Sequence, residues 1–370
     1  MTDLHREISF EDEVCDYLAA HGWLYAAGDA AHYDRSLALF PADVLAWVRE
    51  SHPKAWEALS KNHGAQAGDV LLARLREQVE TRGTLDVLRH GVEMIGLRQK
   101  LPLTQFKPVL AMNPELQARY AANRLRVVRQ VRYSLHNENC IDLVLFLNGL
   151  PVATVELKTD FTQSVEDAVD QYRFDRLPRS KGNPAEPLLS FPSGALVHFA
   201  VSNNEVQMTT KLAGAATRFL PFNKGNDGAA GNPLNWTCGH RTAYLWEEVW
   251  ERESWLEILG RYLVAEKDSK KQITNVIFPR YHQLDATREL LAAVYVDGAG
   301  GKYLIQHSAG SGKTNSIAWS AHFLADLHDA EQKKVFDSAV VNISQAYTSG
   351  SQLTPQLVGF LPLPVAATDI

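Results

Sequence analysis

The chain has 370 residues, 45% hydrophobic and 22% charged, with 37 basic against 43 acidic side chains and a net charge of −6. At about 150 residues per domain this length implies two or three domains, and the composition excludes a collagen, a disulfide scaffold and a wholly disordered chain. The negative balance excludes a general polyanion coat, so a nucleic-acid partner needs local basic patches.

In chain order, the N-terminus reads MTDLHREISFEDEV, with no apolar signal region, and no run of about 18 apolar residues follows anywhere. The expectation is a cytoplasmic protein without a membrane span. Cys15, Cys140 and Cys238 are odd in number and widely spaced, which fits reduced thiols and no zinc site. Residues 9–21 predict a helix with Ser9 as N-cap, and 41–97 predict further helices. An arginine-dense stretch, 119–133, leads into IDLVLFL (141–147), NGLP (148–151) and VATVELK (152–158), a hairpin signal around Asn-Gly. A helix is expected near 163–176, strands at 195–201 and 206–209, and a Gly/Asn-rich loop at 223–235. The aromatic stretch 243–264 reads as a link between domains. A helix near 282–295, a strand at 302–307 and a helix from 313 complete the pattern.

The hairpin carries the first constellation of chemical groups. Asp142, Glu156 and Lys158 supply two carboxylates that can hold Mg²⁺ beside a phosphodiester and a lysine that can position water or offset developing charge. Glu156 and Lys158 share a strand face because side chains alternate. A two-residue Asn148-Gly149 turn would set Asp142 opposite Val155. A three-residue loop, 148–150, would pair Leu147 with Pro151 and set Asp142 opposite Glu156. The three-residue loop is therefore expected, with Gly149 or Leu150 in an unusual backbone state. The alternative is an ordinary hairpin with solvated charges. Glu11 on the first helix can add a third carboxylate, and Gln171 after the hairpin can orient water; both can equally be surface residues. Arg119, Arg124, Arg126, Arg129 and Arg132 can neutralise DNA phosphates or form a solvated face.

The second constellation is His307-Ser-Ala-Gly310-Ser311-Gly312-Lys313-Thr314, between an expected strand and a helix, as a phosphate-binding loop requires. Its glycines let backbone N–H groups close on phosphate at a helix N-terminus. Lys313 would reach the β/γ-phosphates, and Thr314 would ligate Mg²⁺. The first glycine of the usual pattern is His307 here. Upstream, Arg280 and Gln283 of FPRYHQLDA offer a guanidinium and an amide that suits an adenine edge. A chance Gly-rich turn is the alternative.

This order of parts resembles the restriction (R) subunit of type I restriction-modification enzymes. HFAVSNNEVQMTTKL (198–212), TRFLPFNKG (217–225), YLWEEVWERESWLEIL (244–259) and QHSAGSGKTNSIAW (306–319) are similar to that family. The resemblance covers about residues 9–340. It implies an α/β chain: a PD-(D/E)xK restriction-endonuclease-like domain over 1–240, a helical connector over 241–275 and the start of a RecA-like P-loop motor over 276–340. It implies Mg²⁺ on Asp142 and Glu156, Lys158 as catalytic lysine, ATP at the P-loop, and double-stranded DNA as substrate. Modification (M) and specificity (S) subunits would be partners and would bring S-adenosylmethionine. Gln171 would begin a Q-x3-Y element, but position 175 is aspartate.

The resemblance stops before the chain does. A motor needs an acid at the end of an apolar strand to hold Mg²⁺. Asp326, Asp329, Glu331, Asp337 and Asp369 follow Thr314, and none closes such a strand. From Ser338 to Ile370 the only charge is Asp369. Residues 341–370 are therefore expected to be a divergent tail, from a shifted frame or a truncated gene, or a disordered one, and the motor is expected not to hydrolyse ATP. A non-catalytic docking fragment and a free-standing P-loop ATPase or kinase are the competing readings.

Overall fold

The computed structural model describes residues 2–110, 112–160, 163–226, 229–298, 300–308, 310–329, 331–335, 345–349 and 352–356. The chain divides into two units, Met1–Arg280 and Tyr281–Ile370.

The first unit opens with α1 (Thr2–Ala20). The expected N-cap Ser9 lies inside this helix, since residues 2–8 contain neither Gly nor Pro to end it. Four helices follow: α2 (Pro41–Ser51), α3 (Pro53–His63), α4 (Ala67–Arg82) and α5 (Thr84–His90). Proline at the first turn starts α2 and α3, where its missing N–H is not needed. Then α6 (Pro114–Ala121) is capped by Asn113, whose side chain accepts from the N–H groups of Glu115 and Leu116.

A six-stranded sheet carries the unit: β1 (Leu125–Arg132), β2 (Cys140–Leu147), β3 (Leu150–Leu157), β4 (Val197–Val201), β5 (Val206–Thr209) and β6 (Leu220–Pro221), in sequence order. Only β3 and β4 are parallel, joined by a crossover containing α7 (Val165–Asp170) and a π-helical turn, Gln171–Asp175. Ser164 and Asp167 form a capping box on α7.

Both sheet faces are covered, which is why β2 and β3 read as near-continuous apolar runs. On one face Val144 and Phe146 pack with Tyr172, Leu188 and Leu189. On the other, Phe199 meets Phe222, Trp250 and Phe278 edge-on. The stretch read as a connector therefore belongs to this core. It forms a π-helical turn (Leu245–Val249), α8 (Arg252–Glu257) and a second π-helical turn (Ile258–Tyr262), and it buries Trp246, Trp250, Trp255 and Tyr262. An aromatic amphipathic run has the same pattern whether it links domains or packs on a sheet. The hairpin of β7 (Val264–Lys267) and β8 (Ile273–Ile277) follows, held to the β5 end by Thr210 Oγ1 donating to Val276 O at 2.7 Å.

The second unit contains α9 (Tyr281–Asp297) and α10 (Lys313–Ala325). The strand expected at 302–307 is not formed, and Leu304 is 89% exposed. A strand of a parallel sheet needs a neighbour to pair with and cover on both faces, and no described strand pairs with this segment. Within the tail, β9 (Gln345–Ser349) pairs antiparallel with β10 (Gln352–Gln356). The rest of the tail, with Asp369, lies outside the described residues, as does Asp337 before it. No helix among the described residues is long and apolar enough to cross a membrane.

Candidate active site

The β2–β3 hairpin closes with a two-residue turn rather than the three-residue loop expected. Leu147 pairs with Leu150, and Asn148 and Gly149 both take positive φ, 49° and 83°, as a type I′ turn requires. Asn148 is locked there. Its Nδ2 donates to Leu103 O and Asn123 Oδ1, and its Oδ1 accepts from Arg124 N–H. The tight turn does not misplace the acid, because Phe146 pairs with Pro151 while Leu145 pairs with Ala153. Val152 is thus an extra residue on β3, a β-bulge beside a proline that has no N–H to give the ladder. Beyond the bulge the register runs Val144–Thr154 and Leu143–Val155, and its continuation sets Asp142 opposite Glu156.

Asp142 Oδ2 accepts the Leu157 backbone N–H at 2.8 Å, which pins the carboxylate against β3. Glu156 is fully buried, and its Oε1 accepts from Arg176 Nε at 2.7 Å. Its Oε2 is buried with no hydrogen-bond partner. Burial first, then the charge of Asp142, pushes the Glu156 carboxyl well above the usual range. Burial acts to lower Arg176, but Glu156 outweighs it and holds the guanidinium above its ordinary value. Lys158 follows β3 and is 5% exposed, and its N–H donates to Val201 O at 2.8 Å.

Glu11 comes from α1 and is buried. Its Oε1 accepts from Gln130 Nε2 at 2.6 Å, and its Oε2 is paired with Arg129 at 3.1 Å. Burial, with Asp142's charge second, pushes the Glu11 carboxyl up to about 7. Gln130 Nε2 also reaches Asp142 Oδ1 at 3.4 Å. Glu11, Asp142 and Glu156 are therefore electrically coupled. Among the described residues, however, no three His, Cys, Asp or Glu side chains are grouped as a metal cage would need; the register leaves Asp142 and Glu156 as a pair of facing carboxylates.

Gln171 opens the π-helical turn, and its Oε1 is buried without a hydrogen-bond partner. The next residue, Tyr172, shares a hydrogen bond with Thr154 Oγ1 at 2.8 Å, and Thr154 in turn contacts His198 Nδ1 at 2.7 Å. Burial lowers His198 to about 3.

The arginines divide. Arg124 and Arg126 are ion-paired to the buried Asp43, and Arg126 also to Asp29, so their charge is used inside the fold. Arg129 is paired with Glu11 and Asp12. Arg132 is 64% exposed and pairs with the exposed Glu138. Arg119 pairs with Glu115 along α6.

In the second unit, Gly310 and Gly312 take φ of 75° and 81°, and Gly312 caps α10. Lys313 Nζ donates to His307 O and Ser308 O at 3.2 and 3.3 Å. Ser311 is buried and Thr314 is exposed. Gln283 Nε2 donates to Ser311 O and Gly312 O at 3.0 and 2.9 Å, so this amide rests on the loop. Arg280 is the last residue of the first unit.

Two residues escaped the sequence reading. Gln130 sits inside the arginine-rich run and was masked by it. Arg176 carries no local mark and is recruited only because the π-helical turn brings it over β3. All three cysteines are free thiols, and Cys15 is buried.

The sequence profile of a family described as type I restriction enzyme R protein N terminus matches residues 45–217, which includes the whole hairpin. Two Methanocaldococcus jannaschii proteins are similar as well. One, provisionally named type I restriction enzyme MjaVIIIP endonuclease subunit, is 26% identical over 195 residues, 50% of this chain and 17% of the relative. The other, provisionally named type I restriction enzyme MjaVIIP endonuclease subunit, is 24% identical over 280 residues, 68% of this chain and 22% of the relative. The chain spans less than a quarter of the length of these curated relatives.

Proposed function

We propose, from the match of residues 45–217 to the N-terminal family of type I restriction enzyme R proteins, that this chain bears the nuclease centre of a type I restriction endonuclease subunit. It cleaves double-stranded DNA phosphodiester bonds with Mg²⁺. The observation that carries the reading is Asp142 opposite Glu156, with Lys158 two residues on, just past the end of β3.

The buried, partnerless Glu156 Oε2 facing a second carboxylate fits a divalent cation, which would relieve the repulsion that burial intensifies. Asp142 and Glu156 would hold Mg²⁺, which when bound supplies positive charge beside the phosphate and lowers the pKa of water. Asp142 is oriented by the Leu157 N–H, and Glu156 by Arg176. Lys158 offsets charge at the attacked phosphate and positions the water. Gln171 offers an amide whose oxygen is still unsatisfied. Arg132 is the arginine of the basic run with charge facing solvent for DNA.

The second unit is proposed as the opening of a RecA-like motor. Gly310, Ser311, Gly312, Lys313 and Thr314 would take ATP phosphates, with Gln283 toward the base. ATP-driven translocation is not assigned to this chain alone. M and S subunits would supply recognition and S-adenosylmethionine chemistry, in the cytoplasm.

The test is nicking of supercoiled plasmid by the full chain, alone and with M and S subunits, at millimolar Mg²⁺. Asp142→Ala and Lys158→Ala should each remove cleavage. Cleavage equal to that of the unsubstituted chain would overturn the nuclease assignment and favour a docking module.

A further inference from the structure

The geometry points to Gln130 as a positioning residue for the cleavage centre: its side-chain amide clasps Glu11 of α1 to Asp142 of β2 and holds Asp142 turned toward Glu156. This inference rests on the nuclease reading proposed above and adds a residue to it.

Gln130 Nε2 donates to Glu11 Oε1 at 2.6 Å and lies 3.4 Å from Asp142 Oδ1. Carboxylates only accept, so the nitrogen must face them. The other end confirms the orientation: Gln130 Oε1 accepts from the Cys140 thiol at 3.2 Å. Three groups from α1 and β2 thus fix both ends of one amide.

The backbone pays for this arrangement. Gln130 lies within β1 at φ 51°, a left-handed conformation that a non-glycine residue in a strand rarely adopts. The consequence is visible on both sides of it. Arg129 and Gln130, adjacent in a strand, both reach Glu11, although neighbours normally point to opposite faces. Val128 and Val131 fall into the same core cluster, although a spacing of three should separate them. Strain of this kind persists where the surrounding structure demands it, and it gathers at functional sites. Here it aims the amide between two acids that would otherwise repel.

The discriminating variant is Gln130→Gly, which removes the amide and relieves the positive φ. If Gln130 has no role in positioning Asp142, the variant keeps metal affinity whether or not its melting temperature moves. If the amide positions Asp142, the variant still melts normally, yet Mn²⁺ binding to the full chain by titration calorimetry weakens about tenfold or more, the range for residues that orient metal ligands. The Mg²⁺ concentration for half-maximal nicking should rise by the same factor. Should Gln130→Gly fail to fold, Gln130→Asn tolerates the same backbone and falls one methylene short, and it should show the same loss. Asp142→Ala is the control. Mn²⁺ affinity unchanged in the Gln130 variants but lost in Asp142→Ala would overturn the positioning role and leave the nuclease reading standing. Mn²⁺ affinity unchanged in Asp142→Ala would overturn the metal site itself, and the role of Gln130 with it.

Discussion

Asp142 faces Glu156 across β2 and β3 because one extra residue, Val152, is inserted between the hairpin turn and the acids. A tight Asn-Gly turn and a correctly aimed carboxylate pair would otherwise exclude each other, since a slip of one residue sends a side chain to the other face. The turn and the bulge work together, so the hairpin tip is where the site is most open to remote damage.

Gly149→Ala should expose that dependence. The residue sits at φ 83°, and a Cβ there would lie 2.5 Å from both Phe40 O and Val44 Cγ2. The Gly149 carbonyl also accepts from Phe40 N–H at 2.9 Å, so the tip cannot move away without breaking a bond. The variant should lose about 3 kcal/mol of stability, read by urea unfolding, and should lose plasmid nicking in proportion. Gly22→Ala shares a positive φ but meets nothing within 4 Å. It should cost about 1 kcal/mol and leave nicking intact.

The hairpin, the acids' shared face and most helices of the first unit were legible in the residues, because Asn-Gly turns and apolar periodicity are local signals. The bulge was not. Pro151 permits it, but only packing of both sheet faces demands it. Gln130 and Arg176 were illegible for the same reason: each acquires its role from an element distant in sequence, α1 for one and β3 for the other. The reverse error occurred at 302–307, where an apolar run predicted a strand that finds no neighbour among the described residues.

The arginines before the hairpin should separate into two classes. Arg126→Ala strands the buried carboxylate of Asp43, which is 1% exposed, and should cost about 3 kcal/mol. Arg126→Lys should recover only part of this, since an ammonium cannot bridge Asp43 and Asp29 with a planar fork. Arg132→Ala should move the melting temperature by no more than about 1 °C, because exposed pairs contribute little. Yet it should weaken binding of a short DNA duplex and lower the salt dependence of that binding by about one unit. Equal effects of the two alanine variants on melting would refute the division.

Acid sensitivity should trace in part to His198. Burial lowers this imidazole to about 3, against 6.5 for the free side chain. Between those values the unfolded chain binds a proton that the folded chain refuses. Stability from this group is therefore fully present above pH 6.5 and is lost as pH falls toward 3, by up to about 4 kcal/mol. His198→Gln can keep a hydrogen bond to Thr154 but cannot titrate. Its melting temperature should fall less steeply than the parent's between pH 6.5 and 4, and parallel curves would remove His198 from the account.

Glu11 should act in the opposite direction. Its carboxyl is pushed up to about 7, chiefly by burial and next by Asp142. Here the folded chain binds the proton more readily than the unfolded one. Stability therefore falls as pH rises from about 4.5 to 7, and the full cost, at most about 3 kcal/mol, stands above pH 7. Glu11→Gln removes the charge while leaving Arg129 paired to Asp12. In chelator-treated protein, the melting temperature of Glu11→Gln relative to the parent should be higher at pH 8 than at pH 5. A divalent cation between Asp142 and Glu156 would offset the same repulsion, so added Mg²⁺ should raise the parent's melting temperature more at pH 8 than at pH 5, and should do so less in Glu11→Gln. If the parent and the variant follow parallel curves with and without Mg²⁺, Glu11 is electrically separate from the paired acids, and its place in the site is lost.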